Sequence, residues 1–253
     1  MISLLVLACI VMGFFLIKLR QQLKKEKDFA AYVAHELRVP LTVMKGYAEI
    51  LQDGPSSEAL EKIIRNCHRM DKIINNLLKL ADLEHVPIQT CDITALAQSC
   101  IQRILTVSPA THIAIEKSEQ PILVKADPDL LELALMNLLE NGIKYSNAPA
   151  HLTIDLKPSA GGVQMTVQDR GMGIPETHLP HIFERFYAVD KSRSRRLGGA
   201  GLGLSLVKTI IEKHKGKISV ASTPGQGTTF TVVIPQQILE ERDLGGSEKD
   251  IHQ

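Results

Sequence analysis

The chain has 253 residues, 29 Lys plus Arg against 28 Asp plus Glu, 44% apolar residues and 4% aromatics. A net charge of +1 excludes a protein whose affinity for nucleic acid rests on a dense basic surface, while the length and apolar content suffice for two modest cores. The four cysteines, Cys9, Cys67, Cys91 and Cys100, form no Cys-x-x-Cys pair and no metal-ligand spacing, so they read as reduced, mostly buried thiols.

Ile2 to Ile17 carries no charge, and Lys18, Arg20, Lys24, Lys25 and Lys27 follow at once. A helix of about 16 residues spans about 25 Å, the short end of what a bilayer core requires. The basic flank on its C-terminal side would keep the following residues in the cytoplasm. A cleaved signal peptide would instead begin basic and end on small residues. The segment 1–18 is therefore expected to be a single-pass transmembrane anchor.

Residues 19–85 read as a helical hairpin. Phe29, Val33, Leu37, Leu41, Met44, Ala48 and Leu51 recur every three or four positions and form one stripe at about 100° per residue. Asp53-Gly54-Pro55-Ser56-Ser57 supplies a stop, a turn and a serine cap. In the second helix Leu60, Ile63, Cys67, Met70, Ile74, Leu77 and Ala81 mark a coiled-coil seam. Two helices with one seam each enclose no core alone, so a dimeric four-helix bundle is expected. His35 falls about 180° from the centre of the first stripe and should face water. Beside it, Glu36 is placed to orient the ring or take its proton. Pro40 deprives the Glu36 carbonyl of its helical partner. A neutral, exposed imidazole of this kind is a candidate nucleophile.

His35-Glu36-Leu37-Arg38-Val39-Pro40-Leu41 resembles the phosphoacceptor box of bacterial sensor histidine kinases. The resemblance implies that His35 is phosphorylated and that Glu36 is its acid–base partner. One departure stands out. Position 39 is Val, where that family usually carries Thr or Asn, the side chain thought to position water for dephosphorylating the partner protein. Val has no hydrogen-bonding group, which puts phosphatase activity in doubt.

After a short linker at His85-Val86-Pro87, residues 86–235 mix types. A helix is expected near Ile93–Val107, strands near His112–Glu116 and Ile122–Val124, and a helix capped by Asp127 with Pro128 at its first position. The alternations Leu152/Ile154/Leu156, Val163/Met165/Val167 and Phe230/Val232/Ile234 predict half-buried antiparallel strands. One mixed sheet with helices on one face, an α/β sandwich of the α+β class, fits this order. Residues 236–253 read as a polar, disordered tail.

Four motifs sit on this frame. Asn137 and Asn141 share a helix face at i and i+4, and Asn141 suits Mg²⁺, which accepts an amide carbonyl among water and phosphate oxygens. Lys144 could meet phosphate, and Tyr145 a base. Asp169-Arg170-Gly171-Met172-Gly173 follows a strand; its carboxylate can accept from an exocyclic amine, and Gly171 and Gly173 permit close approach of the backbone. Phe183-Glu184-Arg185-Phe186-Tyr187 offers Arg185 to phosphate. Gly198-Gly199-Ala200-Gly201-Leu202-Gly203 leads into a helix and can present backbone N–H groups to phosphate. It lacks the Lys-Ser or Lys-Thr end of a Walker A loop and the preceding strand of a dinucleotide fingerprint.

The order of these four motifs, downstream of the histidine box, resembles the ATP-binding domain of the same kinases. The resemblance implies that Asn137 and Asn141 serve Mg²⁺ and phosphate, that Asp169 reads the adenine amino group and that 188–200 is a mobile lid. It covers about residues 20–235. Gly142 stands where Ala is usual, Ala188 where a basic residue is common, and Lys217 where a second Gly often follows Gly216. Related gyrase- and chaperone-type ATPases carry a water-activating Glu at the position of Asn137; an amide is no general base near pH 7, so transfer to histidine is favoured over hydrolysis. An inert membrane-tethered scaffold is the third reading, disfavoured because the expected ligand residues are present. The implied whole is an ATP- and Mg²⁺-dependent protein-histidine kinase. It would be a homodimer in the bacterial inner membrane with its kinase domains in the cytoplasm, passing phosphate to an Asp of a response regulator.

Overall fold

The computed structural model describes residues 30–31, 33–81, 87–117, 121–159, 161–190 and 201–235. The expected anchor (1–18), the linker positions 85–86, the stretch 191–200 of the expected lid, with Gly199 in it, and the tail (236–253) lie outside the described residues. Among the described residues, no helix is long and apolar enough to cross a membrane. The chain forms two compact units that part after Ile74.

The first unit is built on helix α1 (33–52) and α2 (Ser57–Ala81) as far as Ile74, the rest of α2 falling to the second unit. Ser56 accepts the Ala59 N–H at 3.2 Å, the cap expected from the turn sequence. Helix α1 continues through Pro40, and Thr42 donates its hydroxyl back to the Arg38 carbonyl at 2.9 Å. Ala59 and Ile73 of α2 are buried together with the Glu36 side chain. The seam read from the sequence is only partly covered within a single chain, where Cys67 Sγ donates to Met44 Sδ of the α1 stripe at 3.3 Å. Leu60, Cys67 and Ile74 are exposed, as is Leu41 of the α1 stripe. Beside that seam, Ala59 and Ile73 are buried within the single chain and Arg69 is paired with Glu36. The exposure of Cys67 also corrects its expected burial, whereas Cys91 and Cys100 are buried free thiols.

The second unit continues with β1 (Gln89–Asp92) and α3 (Ile93–Val107), followed by β2 (His112–Lys117), β3 (Leu123–Ala126) and α4 (Pro128–Lys144). Then come β4 (His151–Ser159), β5 (Gly162–Asp169), a 3₁₀ turn (Glu176–His181), α5 (Gly203–Lys213), β6 (Lys217–Thr223) and β7 (Gly227–Pro235). The main sheet has the order β2-β4-β5-β7-β6, with β2 and β4 parallel and the other pairs antiparallel. Ile154, Val167, Phe230 and Val220 lie opposite one another across four strands. The predicted alternating residues of β4, β5 and β7 join Leu135, Leu139 and Ile210 of the helices in one core. A single sheet was the expectation, and here the structure differs. The Leu123–Ala126 segment pairs antiparallel with β1 as a separate two-stranded sheet, and β1, too short to show a period, is its only strand partner among the described residues.

Caps fix the helix starts. The Asp127 carboxylate accepts the Leu130 N–H at 3.0 Å with Pro128 behind it, and Asp92 accepts from Thr94 and Ala95 at the head of α3. A buried histidine ties α5 to the α4 cap. His214, 2% exposed, accepts the Asp127 N–H on Nε2 at 2.9 Å and donates from Nδ1 to the Ile210 carbonyl at 2.8 Å. Those partners require a neutral ring with its proton on Nδ1. Replacing His214 by Ala strands a buried backbone donor, so we expect a loss of about 1–3 kcal/mol, read by denaturant unfolding of the full chain.

Candidate nucleotide and phosphoacceptor sites

In the first unit His35 is exposed and Glu36 is not. Neighbouring residues on a helix point about 100° apart, so turning the imidazole to water turns the carboxylate inward. Glu36 is 2% exposed, and its Oε2 accepts from Arg69 Nη2 of α2 at 3.0 Å. Such a pair survives burial because each charge supplies the other's partner. Val39 is half-buried on the same helix, and Thr42, Lys45 and Glu49 are exposed, the last two 4.0 Å apart.

In the second unit the end of β5 organises the site. Asp169, 7% exposed, accepts on Oδ1 from the Gly171 N–H at 2.8 Å and the Thr228 N–H at 3.1 Å. Burial pushes its carboxyl above the usual carboxylate range, against the opposing pull of those two N–H groups. Both bonds go to Oδ1. The residues around it have little room. A Cβ on Gly171 would stand 2.6 Å from the Tyr145 carbonyl oxygen, and Gly173, at φ +68°, abuts the Thr223 backbone. Met172 is held on both sides, its N–H donating to Tyr145 at 3.1 Å and its carbonyl accepting from Gly225 at 2.8 Å. The Asp-x-Gly-x-Gly segment is thus fastened between the end of α4 and the β6–β7 turn.

A cavity of about 330 Å³ opens here, with mainly apolar walls. Of the residues expected from the sequence, Asn141, Tyr145, Asp169 and Gly173 line it. Met172, Ile182, Tyr187, Leu204, Thr228 and Phe230 line it too. None of these six is a site residue in the sequence reading, although Met172 and Tyr187 stand within its motifs: Phe230 shows only core periodicity, and Thr228 acts through its backbone. Asn137 is elsewhere. Its Nδ2 donates to the Leu133 carbonyl at 2.8 Å, and a Cβ on Gly203 would lie 2.8 Å from its Oδ1. Gly203 therefore lets the start of α5 close onto α4, beside the two amides. Leu202 is fully buried, and Gly201, at φ +69°, accepts the Phe186 N–H at 2.7 Å. Lys144 lies over the Tyr145 ring with Nζ 4.9 Å from its centroid, and Arg185 is exposed outside the cavity wall.

The donor set suits a metal that brings its own ligands. Among the described residues no cluster of three His, Cys, Asp or Glu side chains could hold an ion. A single amide carbonyl from Asn141 fits Mg²⁺ already coordinated by phosphate and water.

Residues 25–86 match the His Kinase A (phospho-acceptor) domain, and residues 126–238 match the histidine kinase-, DNA gyrase B- and HSP90-like ATPase. The sensor histidine kinase YkoH of Bacillus subtilis is 36% identical over 228 residues, covering 87% of this chain. This chain spans 50% of the length of that relative. Among solved structures, full-length ShkA in complex with AMPPNP is 25% identical with a TM-score of 0.61, over 81% of this chain and 45% of that one. Histidine kinase ThkA in complex with response regulator protein TrrA shares the fold at 23% identity and a TM-score of 0.71, over 86% of this chain and 64% of that one. With a phosphoacceptor hairpin and a nucleotide-type α/β module in that order, this chain belongs to the bacterial two-component sensor histidine kinases.

Proposed function

We propose that the protein transfers the γ-phosphoryl group of ATP to His35 and then to an Asp of a response regulator. The observation that carries this reading is the water-facing imidazole of His35 next to a carboxylate pinned by Arg69, on the chain that also holds the Asp169 cavity. A neutral ring nitrogen attacks the γ-phosphorus in line; the N–P bond forms as the bond to the departing ADP oxygen breaks. The other ring N–H then loses its proton; we assign that proton to Glu36, which has to turn from Arg69 to receive it. Asn141 would hold Mg²⁺ together with the nucleotide, and the ion would neutralise charge on the phosphates. Lys144 and Arg185 add positive charge at the second unit, and Gly171, Gly201, Leu202 and Gly203 shape the backbone around the nucleotide.

Asp169 reads the adenine amine. Its Oδ1 is committed to two backbone donors, so Oδ2 is the oxygen for the ligand. ShkA was solved with AMPPNP, which supports an ATP-type ligand in this fold. A homodimer follows from the exposed apolar residues of the hairpin, with Leu41 and Leu60 both more than half exposed in a single chain. A response regulator would dock on the hairpin at exposed Thr42, Lys45 and Glu49. ThkA's complex with TrrA supports that class of partner. Attachment to the bacterial inner membrane rests on the apolar run at 2–17 and its basic flank.

Incubated with labelled ATP and Mg²⁺, the chain should acquire acid-labile, base-stable phosphate that His35→Gln abolishes. Release of free phosphate without labelled protein would favour the hydrolase instead. Asp169→Asn keeps an oxygen for Gly171 and Thr228 but turns a donor toward the adenine amine, so ATP affinity should fall roughly ten-fold or more. Because burial already disfavours the charge, the fold should lose no stability at pH 7. The raised pKa also sets the pH trend. As pH falls through it the unmodified carboxyl protonates, so its advantage over the Asn variant should shrink as the solution is acidified, measured by nucleotide titration across a descending pH series. Finally, the resemblance at position 39 implies slow dephosphorylation of the regulator, and Val39→Thr should accelerate it; rapid dephosphorylation by the unmodified protein would contradict this.

A further inference from the structure

The 3₁₀ turn Glu176–His181 connects two residues of the cavity wall, Pro175 and Ile182, without lining the cavity itself. Its backbone is fixed by the His178 N–H, which donates to the Pro175 carbonyl at 2.9 Å. Beyond Ile182 the chain reverses. Phe186, buried and at φ +65°, holds a left-handed conformation that a bulky side chain rarely adopts. Its N–H donates to the Gly201 carbonyl at 2.7 Å, and a Cβ on Gly201 would meet the Phe186 backbone at 2.6 Å. Strain of this kind persists only where the surroundings hold it in place.

The reversal brings Tyr187 back onto the turn. The Tyr187 phenol and His178 Nδ1 share a hydrogen bond of 2.6 Å. The second nearby histidine is differently engaged: the His181 ring lies 5.6 Å from the Tyr187 ring, but its Nδ1 bonds Glu184 Oε1 at 2.8 Å. Tyr187, Ala188, Val189 and Asp190 form a continuous stretch of the cavity wall. His178 is thus the polar anchor of a wall segment it does not belong to.

We propose that His178 is a positioning residue for nucleotide binding, acting through Tyr187 to hold the 187–190 wall in its binding geometry. This rests on the ATP-binding reading above. Removing the imidazole frees the phenol, and the ordering of the wall is then charged to the binding step. A net hydrogen bond of ordinary strength corresponds to a three- to ten-fold change in affinity.

The test measures ATP affinity of the full chain directly, by displacement of a fluorescent ATP analogue, beside the KM and kcat of His35 labelling. His178→Ala and Tyr187→Phe should each weaken ATP binding three- to ten-fold. The double variant should be no worse than either alone, because both remove one bond. His178→Gln, whose amide can meet the phenol, should recover most of the loss. For His178→Ala the effect should fall on KM and not on kcat, with an unchanged melting temperature. His181→Ala should bind ATP within two-fold of the unmodified chain. Unchanged affinity in His178→Ala, additive losses in the double variant, or an equal loss in His181→Ala would overturn the proposal. Binding without any label on His35 would overturn the phosphotransfer reading and leave this comparison intact; absence of ATP binding by the unmodified chain would overturn both.

Discussion

The carboxylate of Asp169 is the constraint on which the second unit depends. It terminates β5, the strand between β4 and β7, and binds two N–H groups from different elements through one oxygen. One of those donors, Gly171, belongs to the loop that follows. The other, Thr228, stands at the start of β7. A buried carboxylate with two such bonds sets the loop and the β6–β7 turn relative to the sheet edge, and the glycines then follow from space. Gly227 lies against the Asp169 carbonyl at φ +114°, and Gly171 lies against the Asp169 side chain. Side chains at either place would push the loop off its strand. Holding the charge away from water is costly, which is why burial raises the carboxyl's pKa. An acceptor kept partly dehydrated gains more from a matching donor than the same group in water.

The hairpin handles a carboxylate by the opposite means. Glu36 is nearly as inaccessible as any residue in its unit, but it has a full countercharge in Arg69. Its neighbour His35 stays in water. One step along the helix therefore separates a group held by a neighbouring helix from a group available to a nucleotide or a receiver. This division needs no catalytic loop. It follows from a helix packed on one side and bare on the other.

Much of this was legible in the sequence because the relevant signals are local. The 3.6-residue period, the Ser56 and Asp127 caps and the alternation in β4, β5 and β7 each depend on a few adjacent residues, and each recurs in the structure. Features that depend on a partner element were not legible in this way. Leu60, Cys67 and Ile74 read as the seam of a bundle of two hairpins; within one chain they are exposed while Ala59, Arg69 and Ile73 turn inward, a division that depends on Glu36 of α1 and is invisible in the α2 period alone. β1 has four residues and no alternation to recognise, and its pairing with β3 is non-local. His214 and Thr228 are silent for the same reason: one acts through ring nitrogens on backbone groups far away in sequence, the other through its own backbone.

The paired amides of α4 show where spacing stops being informative. Residues at i and i+4 share a helix face, and Asn137 and Asn141 do. They do not share a depth. Asn141, nearer the helix end, lines the cavity. Asn137, one turn further back, has its amide nitrogen on the Leu133 carbonyl and its oxygen against Gly203. At that depth a neutral amide serves as the surface against which α5 begins, and glycine at 203 is what lets the two helices meet. A carboxylate there would introduce a second buried charge a turn away from the cavity. The α4–α5 junction thus favours an uncharged side chain on packing grounds alone. The same choice leaves this position without a general base for water.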